Sequence, residues 1–448
     1  MKNPVKVLIA VLSCTLAGLD LHAQANTEPV THRLSVQQAL EYADKNNVQV
    51  RNALLDILIQ KEANREVASA AYPSLSASGS ITDNLKLQTT LLPGEFMGQP
   101  PGTFVPVTFG TKYITSGSID LSQLLFDGQV FIGLKARKTS LQWSQQNTEI
   151  TREMIRANVY KVYYQLVLSK TQIALLDANI ALVEKLKRDA GIMYENGFAE
   201  KLDIDKSDVQ LANLQTEKEK VLASVANGYN GLKVLLGMPV QDRLILTDSL
   251  SDEQIKSNIL QDAAYSYEDR KDYRYLQLTR KLNEFNVRRY QYSKLPTLSL
   301  GATYNKQIQR NEFTFDGDWF TASYVALRLS VPIFKGFGTN AKINQARLTV
   351  RQTDNQIENL KRTIDNEVAA ARNNFTTSIK IMDYQKKNME LAEQVYNQTK
   401  KKYEVGTGSQ TEINTAQTEL KTAQTNYISA LYDAIVAKID YLKAIGKL

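Results

Sequence analysis

The chain has 448 residues, a net charge of +7, two histidines and one cysteine. Cys14 and His22 fall within the first 25 residues, so the remainder keeps only His32, which excludes a cysteine nucleophile, a structural zinc cluster and disulfides. No Gly-x-Ser-x-Gly turn accompanies His32, so neither an enzyme nor a cofactor is expected.

Residues 1–25 read as a signal peptide. Lys2 and Lys6 form a positive start, residues 7–19 are almost wholly apolar, and Ala23-Gln24-Ala25 is a small-residue cleavage pattern. Val11-Leu12-Ser13-Cys14 also faintly resembles a lipoprotein site, but the apolar run continues past Cys14. Cleavage near Ala25 is the expectation and lipidation of Cys14 the alternative. Beyond the leader, no apolar stretch reads as long enough for a membrane helix. Lys and Arg are mixed with Glu and Asp along helical stretches, which suits a solvated helical surface and not nucleic acid.

The rest of the chain is built twice, over 26–247 and 248–448. Ala71-Tyr-Pro73-Ser-Leu resembles Lys294-Leu-Pro296-Thr-Leu, and Ser122-Gln-Leu-Leu-Phe126 resembles Ser330-Val-Pro-Ile-Phe334. Tyr194-Glu-Asn-Gly197 resembles Tyr403-Glu-Val-Gly406, and Leu235-Leu-Gly237 resembles Ala444-Ile-Gly446. Their common order indicates duplication. Each half reads as helix, strand, strand, very long helix, helix. In the first half Pro73 ends the opening helix, because proline lacks the donor needed to continue it. Strands follow in which Leu75, Ala77, Gly79 and Ile81 alternate with serines, and Ile119 and Leu121 lie opposite Ser118, Asp120 and Ser122. From Gly128 to Met193 there is no proline, and Ile155, Val159, Val162, Leu166, Ser169, Ile173, Leu176, Ile180 and Val183 step by four and three as a coiled-coil heptad. A helix of that length reaches roughly 100 Å.

The second half repeats this. Pro296 marks the switch to strand, Val325, Leu327, Leu329 and Val331 alternate with Arg328 and Ser330, and Ile343, Ala346, Val350, Thr353, Ile357, Leu360 and Ile364 carry the heptad. Such alternation fits a water-filled membrane barrel, and it also fits a half-exposed sheet. Phe313, Phe315, Trp319, Phe320 and Tyr324 read as an interfacial aromatic girdle. Four strands cannot close a barrel, and open edges cannot face lipid, so membrane strands would require several chains to share one barrel.

The leader, the duplicated unit and a Tyr-x-x-Gly hairpin in each half resemble the TolC-type outer-membrane factors, the outer membrane efflux protein family. The likeness is most specific over Tyr403-Glu-Val-Gly-Thr-Gly-Ser-Gln-Thr-Glu412 and Ala71-Tyr-Pro-Ser-Leu75. The resemblance implies an α+β membrane protein: a homotrimer whose twelve-stranded β-barrel sits in outer-membrane lipid and continues as a periplasmic α-helical barrel. It implies a channel of a tripartite efflux or type I secretion system that exports small molecules, ions or proteins. Its partners would be a periplasmic adaptor protein and an inner-membrane pump or secretion ATPase. The alternative is a periplasmic coiled-coil adaptor, but nothing here resembles the lipoyl-like β domain such proteins carry.

The family likeness also assigns site residues. Glu412 matches the acidic ring that narrows the pore at the periplasmic tip, although Ser409-Gln-Thr-Glu412 is equally a capping box. One turn on stands Thr415, where relatives often carry a second acid. Asp203 is the equivalent in the first half. The Arg that would pair with it is replaced by Gly408, leaving Lys201 or Lys206 as substitutes, or Asp203 as favourable charge in a first helical turn. Gly197, Gly406 and Thr407 mark the hairpin tips, where an adaptor would dock and where glycine suits a left-handed helix cap. Tyr194 and Tyr403 precede them, as gate residues or as helix packing. Arg328 would face the barrel lumen or be a solvated strand residue.

Overall fold

The computed structural model describes residues 30–256 and 265–448; the leader, its cleavage pattern and Cys14 lie outside the described residues. The first half runs β1 (Thr31–Leu34), α1 (Val36–Asn46), α2 (Val48–Ser69), β2 (Ser74–Asp83), β3 (Thr89–Pro93), β4 (Phe104–Thr108), β5 (Tyr113–Phe126), α3 (Gly128–Glu195) and α4 (Lys201–Leu236). The second runs β6 (Arg243–Leu246), α5 (Asp252–Lys256), α6 (Lys271–Tyr292), β7 (Thr297–Arg310), β8 (Phe320–Ser330), α7 (Gly338–Glu404) and α8 (Gln410–Ala444).

The duplicated unit is visible in lengths and stops. α2 and α6 each span 22 residues and end just ahead of Pro73 and Pro296. The rods α3 and α7 span 68 and 67 residues, and the returning helices α4 and α8 span 36 and 35. At 1.5 Å per residue each rod is about 100 Å long. The rod α3 starts where the Asp127 carboxylate accepts a hydrogen bond from the Gln129 amide at 2.7 Å. The anticipated heptad is the buried seam: Ile155, Val159, Leu166, Leu176 and Val183 are buried on α3, and Ile343, Ala346, Thr353, Ile357 and Ile364 on α7. Burying one such aliphatic side chain contributes about 1.5–3 kcal/mol.

β2, β5, β7 and β8 form one antiparallel sheet in the order β2-β5-β7-β8. Register decides its faces. Leu75, Leu121, Ala302 and Val325 lie in one row, and Leu300 pairs with Leu327 on that same face. The opposite face carries Ser76, Asp120, Thr303, Ser78, Ser118 and Asn305. There the Ser78 and Ser118 hydroxyls are 2.9 Å apart, and Thr303 donates to Asp120 at 2.6 Å. β2 and β8 are exposed along their whole length and leave both sheet edges bare.

Three expectations are corrected. The aromatic cluster does lie at a strand end, but not on the apolar face a girdle needs: Phe320 pairs with Gln307 and Tyr324 with Thr303, so both lie on the polar face with Arg328. Phe313, Phe315 and Trp319 sit in the β7–β8 connection. A second group of exposed apolar residues lies at the strand-to-rod junctions, where Phe126 and Phe131 pack at 5.5 Å, Phe334 and Phe337 at 5.4 Å, and Ile333 is 94% exposed. Second, α3 does contain an 18-residue window of mean hydropathy 1.4, apolar enough for a membrane span by length and composition. Its apolar seam packs against α2, α4, α6 and α8 instead, as a two-sided rod inside a helical wall requires. Third, two small sheets were not anticipated: β1 and β6 pair in parallel, and β3 and β4 form a separate antiparallel hairpin.

The β1–β6 pair belts the rods at mid-height. Around it Leu40, Val50, Val159, Tyr163, Leu232 and Leu236 form a buried cluster. Tyr163 is fully buried; its hydroxyl donates to the Leu34 carbonyl at 3.0 Å and accepts from the Asp248 amide at 3.3 Å. Burial pushes its hydroxyl up to about 12. The Val36 amide donates to Asp248 at 2.8 Å, so residues 212 apart in sequence close the waist.

Candidate functional site: the hairpin tips and the polar face of the sheet

Both rods end in the same way. At the first tip Gly197 has φ +78°, the Phe198 amide donates to the Met193 carbonyl at 2.8 Å and the Gly197 amide to Tyr194 at 3.0 Å. At the second, Gly406 has φ +77°, and the Thr407 and Gly406 amides donate to Lys402 and Tyr403 at 2.9 and 3.0 Å. This is the six-to-one, five-to-two bonding of a left-handed C-cap, which glycine reaches without a Cβ penalty. Nothing lies within 4 Å of where a Cβ would sit at either glycine. Thr407 is exposed, and its hydroxyl donates to the Lys402 carbonyl at 3.2 Å.

The chains then turn into α4 and α8 with different chemistry. Ser409 caps α8: its hydroxyl accepts from the Glu412 amide at 3.2 Å, and the Glu412 carboxylate accepts from the Ser409 amide at 3.3 Å. Glu412 is thus both an exposed carboxylate at the tip and half of a capping box. α4 follows Glu200, whose side chain does not cap it. Asp203 lies in its first turn, with Lys206 at 3.6 Å on the same helix. Lys206, not Lys201, is the cation beside Asp203, and this pair does not tie the two hairpins together. Gly408 leaves little room for any side chain, since a Cβ there would stand 3.0 Å from the Tyr403 amide nitrogen.

Other groups join the two hairpins. Lys185 on α3 stands 3.8 Å from Glu404 on α7. Tyr403 is buried against Leu186, Ile413 and Met193, and its hydroxyl lies 3.6 Å from the Met193 sulfur. Tyr194 is 46% exposed, so the two equivalent tyrosines do different things. Further up, a half-buried polar ladder crosses the hairpins: Gln210 donates to Gln417 at 2.8 Å, Gln417 to the Asn179 carbonyl at 3.5 Å, and Asn179 to Gln424 at 3.0 Å. Sequence reasoning missed this ladder, because single amides on long helices carry no local mark. It also missed Phe198 and Val405, which are 85% and 72% exposed at the tips. Their signal was available: an apolar residue beside a turn glycine that nothing local can cover.

Arg328 lies on the polar face of the sheet opposite Ser299, well away in sequence from the tips. The structure therefore divides the predicted residues between the polar face of the sheet and the far ends of the rods.

Residues 268–447 match the family described as outer membrane efflux protein. The chain is 20% identical over 339 residues to the outer membrane protein TolC of Vibrio cholerae serotype O1, which covers 75% of this chain and 77% of that protein. It is 22% identical over 418 residues to the outer membrane efflux protein BepC of Brucella suis biovar 1, covering 92% and 85%. Its fold matches the CmeC outer membrane channel of Campylobacter jejuni with a TM-score of 0.74 at 16% identity, covering 97% of this chain and 91% of that one.

Proposed function

We propose that this chain, a TolC-type member of the outer membrane efflux protein family seated in the outer membrane and extending into the periplasm, forms by threes the exit duct of a tripartite efflux or type I secretion system. One observation carries the reading. A single four-stranded sheet, apolar on one face and polar on the other, has two bare edges and stands on rods too long for a globular core. In lipid those edges have no water to satisfy them, and a neighbour's edge can do so. Three copies close twelve strands, with Arg328 and Asp120 on the lumen side. The repeats over 26–247 and 248–448 then make a six-fold pseudo-symmetric helical wall.

On this reading the duct does not catalyse. Glu412 and Asp203 crowd the narrow periplasmic end and favour cations there. Gly197, Gly406, Thr407, Tyr194 and Tyr403 shape the ends that meet an adaptor, which joins the duct to a pump or secretion ATPase. The cargo class is small molecules, ions or proteins. The fold likeness to a channel supports the duct over the adaptor reading.

The test is assembly. Protein extracted from outer membranes in mild detergent should cross-link to three copies and no further, and run as a heat-modifiable trimer. A monomer whose strands stay intact in a bilayer would overturn the shared barrel.

A further inference from the structure

Between β2 and β5 the chain leaves the sheet to build the β3–β4 hairpin, which pairs only with itself. Residues 85–110 contain two charges, Lys86 and Glu95. Leu85, Leu91, Phe96, Met97, Phe104 and Phe109 are all more than half exposed, with Phe96 at 80%. Both faces of the ribbon are apolar: Leu91, Pro93, Phe104 and Pro106 lie on one, Leu92, Val105 and Val107 on the other. A lone two-stranded hairpin is marginal in water, and one this apolar needs a covering surface.

The hairpin is nonetheless well built. The Gly94 amide donates to Thr103 at 2.7 Å, the Gln99 amide to Gly94 at 2.9 Å, and the Thr103 hydroxyl to Pro100 at 2.8 Å. A side chain at Gly94 would collide with the Thr103 hydroxyl at 2.1 Å, so the loop closes tightly there. Phe96 and Met97 are held out by that closed loop, which lowers the ordering cost of any contact they make.

What covers them follows from position and bonding. The hydrocarbon of the membrane does not suit the ribbon, because its outer backbone groups have no partners. Pro93 and Pro106 remove donors, which opposes addition of a further strand and leaves side chains as the contact. The hairpin springs from β2, the bare edge that a neighbouring copy covers in the twelve-stranded barrel, so it continues the boundary between copies. It also stands at the end of the sheet opposite the rods, at the outer mouth. Strands about 4.8 Å apart and tilted about 40° give a twelve-stranded barrel a radius of ~12 Å. Five-residue strands at 3.4 Å per residue reach ~17 Å, enough to arrive at the axis.

We infer that the three β3–β4 hairpins of a trimer fold over the outer mouth and pack against one another through Leu91, Phe96, Met97 and Phe104, forming an extracellular cap on the duct. The inference rests on the trimeric duct proposed above. Its occupant is a second and third copy of the same hairpin. The cap raises the barrier to entry from outside, and outward cargo must part it.

Because Cys14 is the only cysteine, a Cys14→Ser background gives a clean probe. Phe96→Cys in that background, treated with a short bismaleimide on the purified trimer in liposomes, should convert most chains to covalent dimers. The triple variant Phe96→Ser, Met97→Ser, Phe104→Ser should at least double single-channel conductance, with the trimer intact by lysine cross-linking. Trimers with no Phe96→Cys cross-link and unchanged conductance in the triple variant sink the cap and leave the duct standing. Quenching of a fluorophore on Phe96→Cys by brominated lipid also overturns it, placing the hairpin on the bilayer. A chain that never reaches three copies removes the duct, and the cap with it.

Discussion

Four helix ends in this chain close on a glycine of nearly the same backbone angle, which allows a comparison within one molecule. Gly197 and Gly406 have φ of +78° and +77°, Gly237 and Gly446 of +75° and +74°. Alanine at any of them meets the left-handed penalty of about 1–2 kcal/mol. At the tips that is the whole cost, because a Cβ there meets open space. At mid-height it is not. A Cβ on Gly237 would lie 2.3 Å from the Asn46 carbonyl oxygen, and one on Gly446 would lie 2.6 Å from that of Asp269. Both obstacles are backbone, so relief requires moving the entry to α2 or α6. Overpacking of this kind adds about 1–3 kcal/mol. Gly406→Ala should therefore cost about 1–2 kcal/mol, and Gly237→Ala and Gly446→Ala about 2–5 kcal/mol. Thermal melting of the detergent-purified protein, followed by circular dichroism, reads the ranking. Export assayed in cells reads the other half: Gly406→Ala with an intact trimer and lowered export assigns the tip to docking. Equal melting shifts at Gly406 and Gly237 would refute the reasoning, since the two sites differ only in the space around the added carbon.

Two further predictions follow from charge. Glu412→Gln keeps an acceptor for the Ser409 amide while removing the carboxylate charge, so single-channel recording in planar bilayers should show lowered cation selectivity at unchanged trimer stability; unaltered selectivity would reduce Glu412 to a helix cap. At mid-height, burial alone would push the Asp252 carboxyl up, but Lys386 at 2.7 Å, the Tyr427 hydroxyl at 2.6 Å and the nearby Lys256 outweigh it and hold it below the usual carboxylate range. Because the folded carboxyl is the stronger acid, its contribution is complete above about pH 4 and is lost as pH falls through the lowered value. Asp252→Asn should flatten the acid limb of the stability profile below pH 4, and an unchanged limb would place the acid sensitivity elsewhere.

What was legible in the sequence is what local physics writes into short windows. The heptads along α3 and α7, the glycine caps at Gly197 and Gly406, and the Ser409–Glu412 box each need only a few neighbouring residues to be specified. What was not legible depends on partners far away. The β1–β6 ladder pairs His32 with Leu244, and four-residue strands give almost no periodic signal. Asn47 donates to the Leu235 carbonyl at 2.7 Å, and Arg270 donates to Ala444 at 3.1 Å. These equivalent residues at the starts of α2 and α6 finish the returning helices, yet one is an amide and the other a guanidinium. The side of the aromatic cluster was legible but not drawn: Phe320 and Tyr324 share the even parity of Arg328, which already put them on the polar face. The β3–β4 ribbon was hidden by its prolines, although two charges in 26 residues marked it.

Duplication gave the tips one backbone geometry, and divergence gave them two chemistries. The second tip is inward-looking: Tyr403 is buried, the capping box is closed, and Glu412 supplies charge at a fixed place. The first is outward-looking: its helix start lacks a side-chain cap, while Tyr194, Phe198 and Leu202 are exposed at 46%, 85% and 54%. In the proposed trimer these alternate around the ring, so a docking adaptor meets an uncapped tip with exposed Phe198 and Leu202 and a capped tip with exposed Val405 in turn. Apolar area supplies most of the free energy of such a contact, while surface charge mainly sets orientation and rate. In that proposal the first tip offers an adaptor apolar area through Phe198 and Leu202, and the second offers Val405 beside the fixed charge of Glu412.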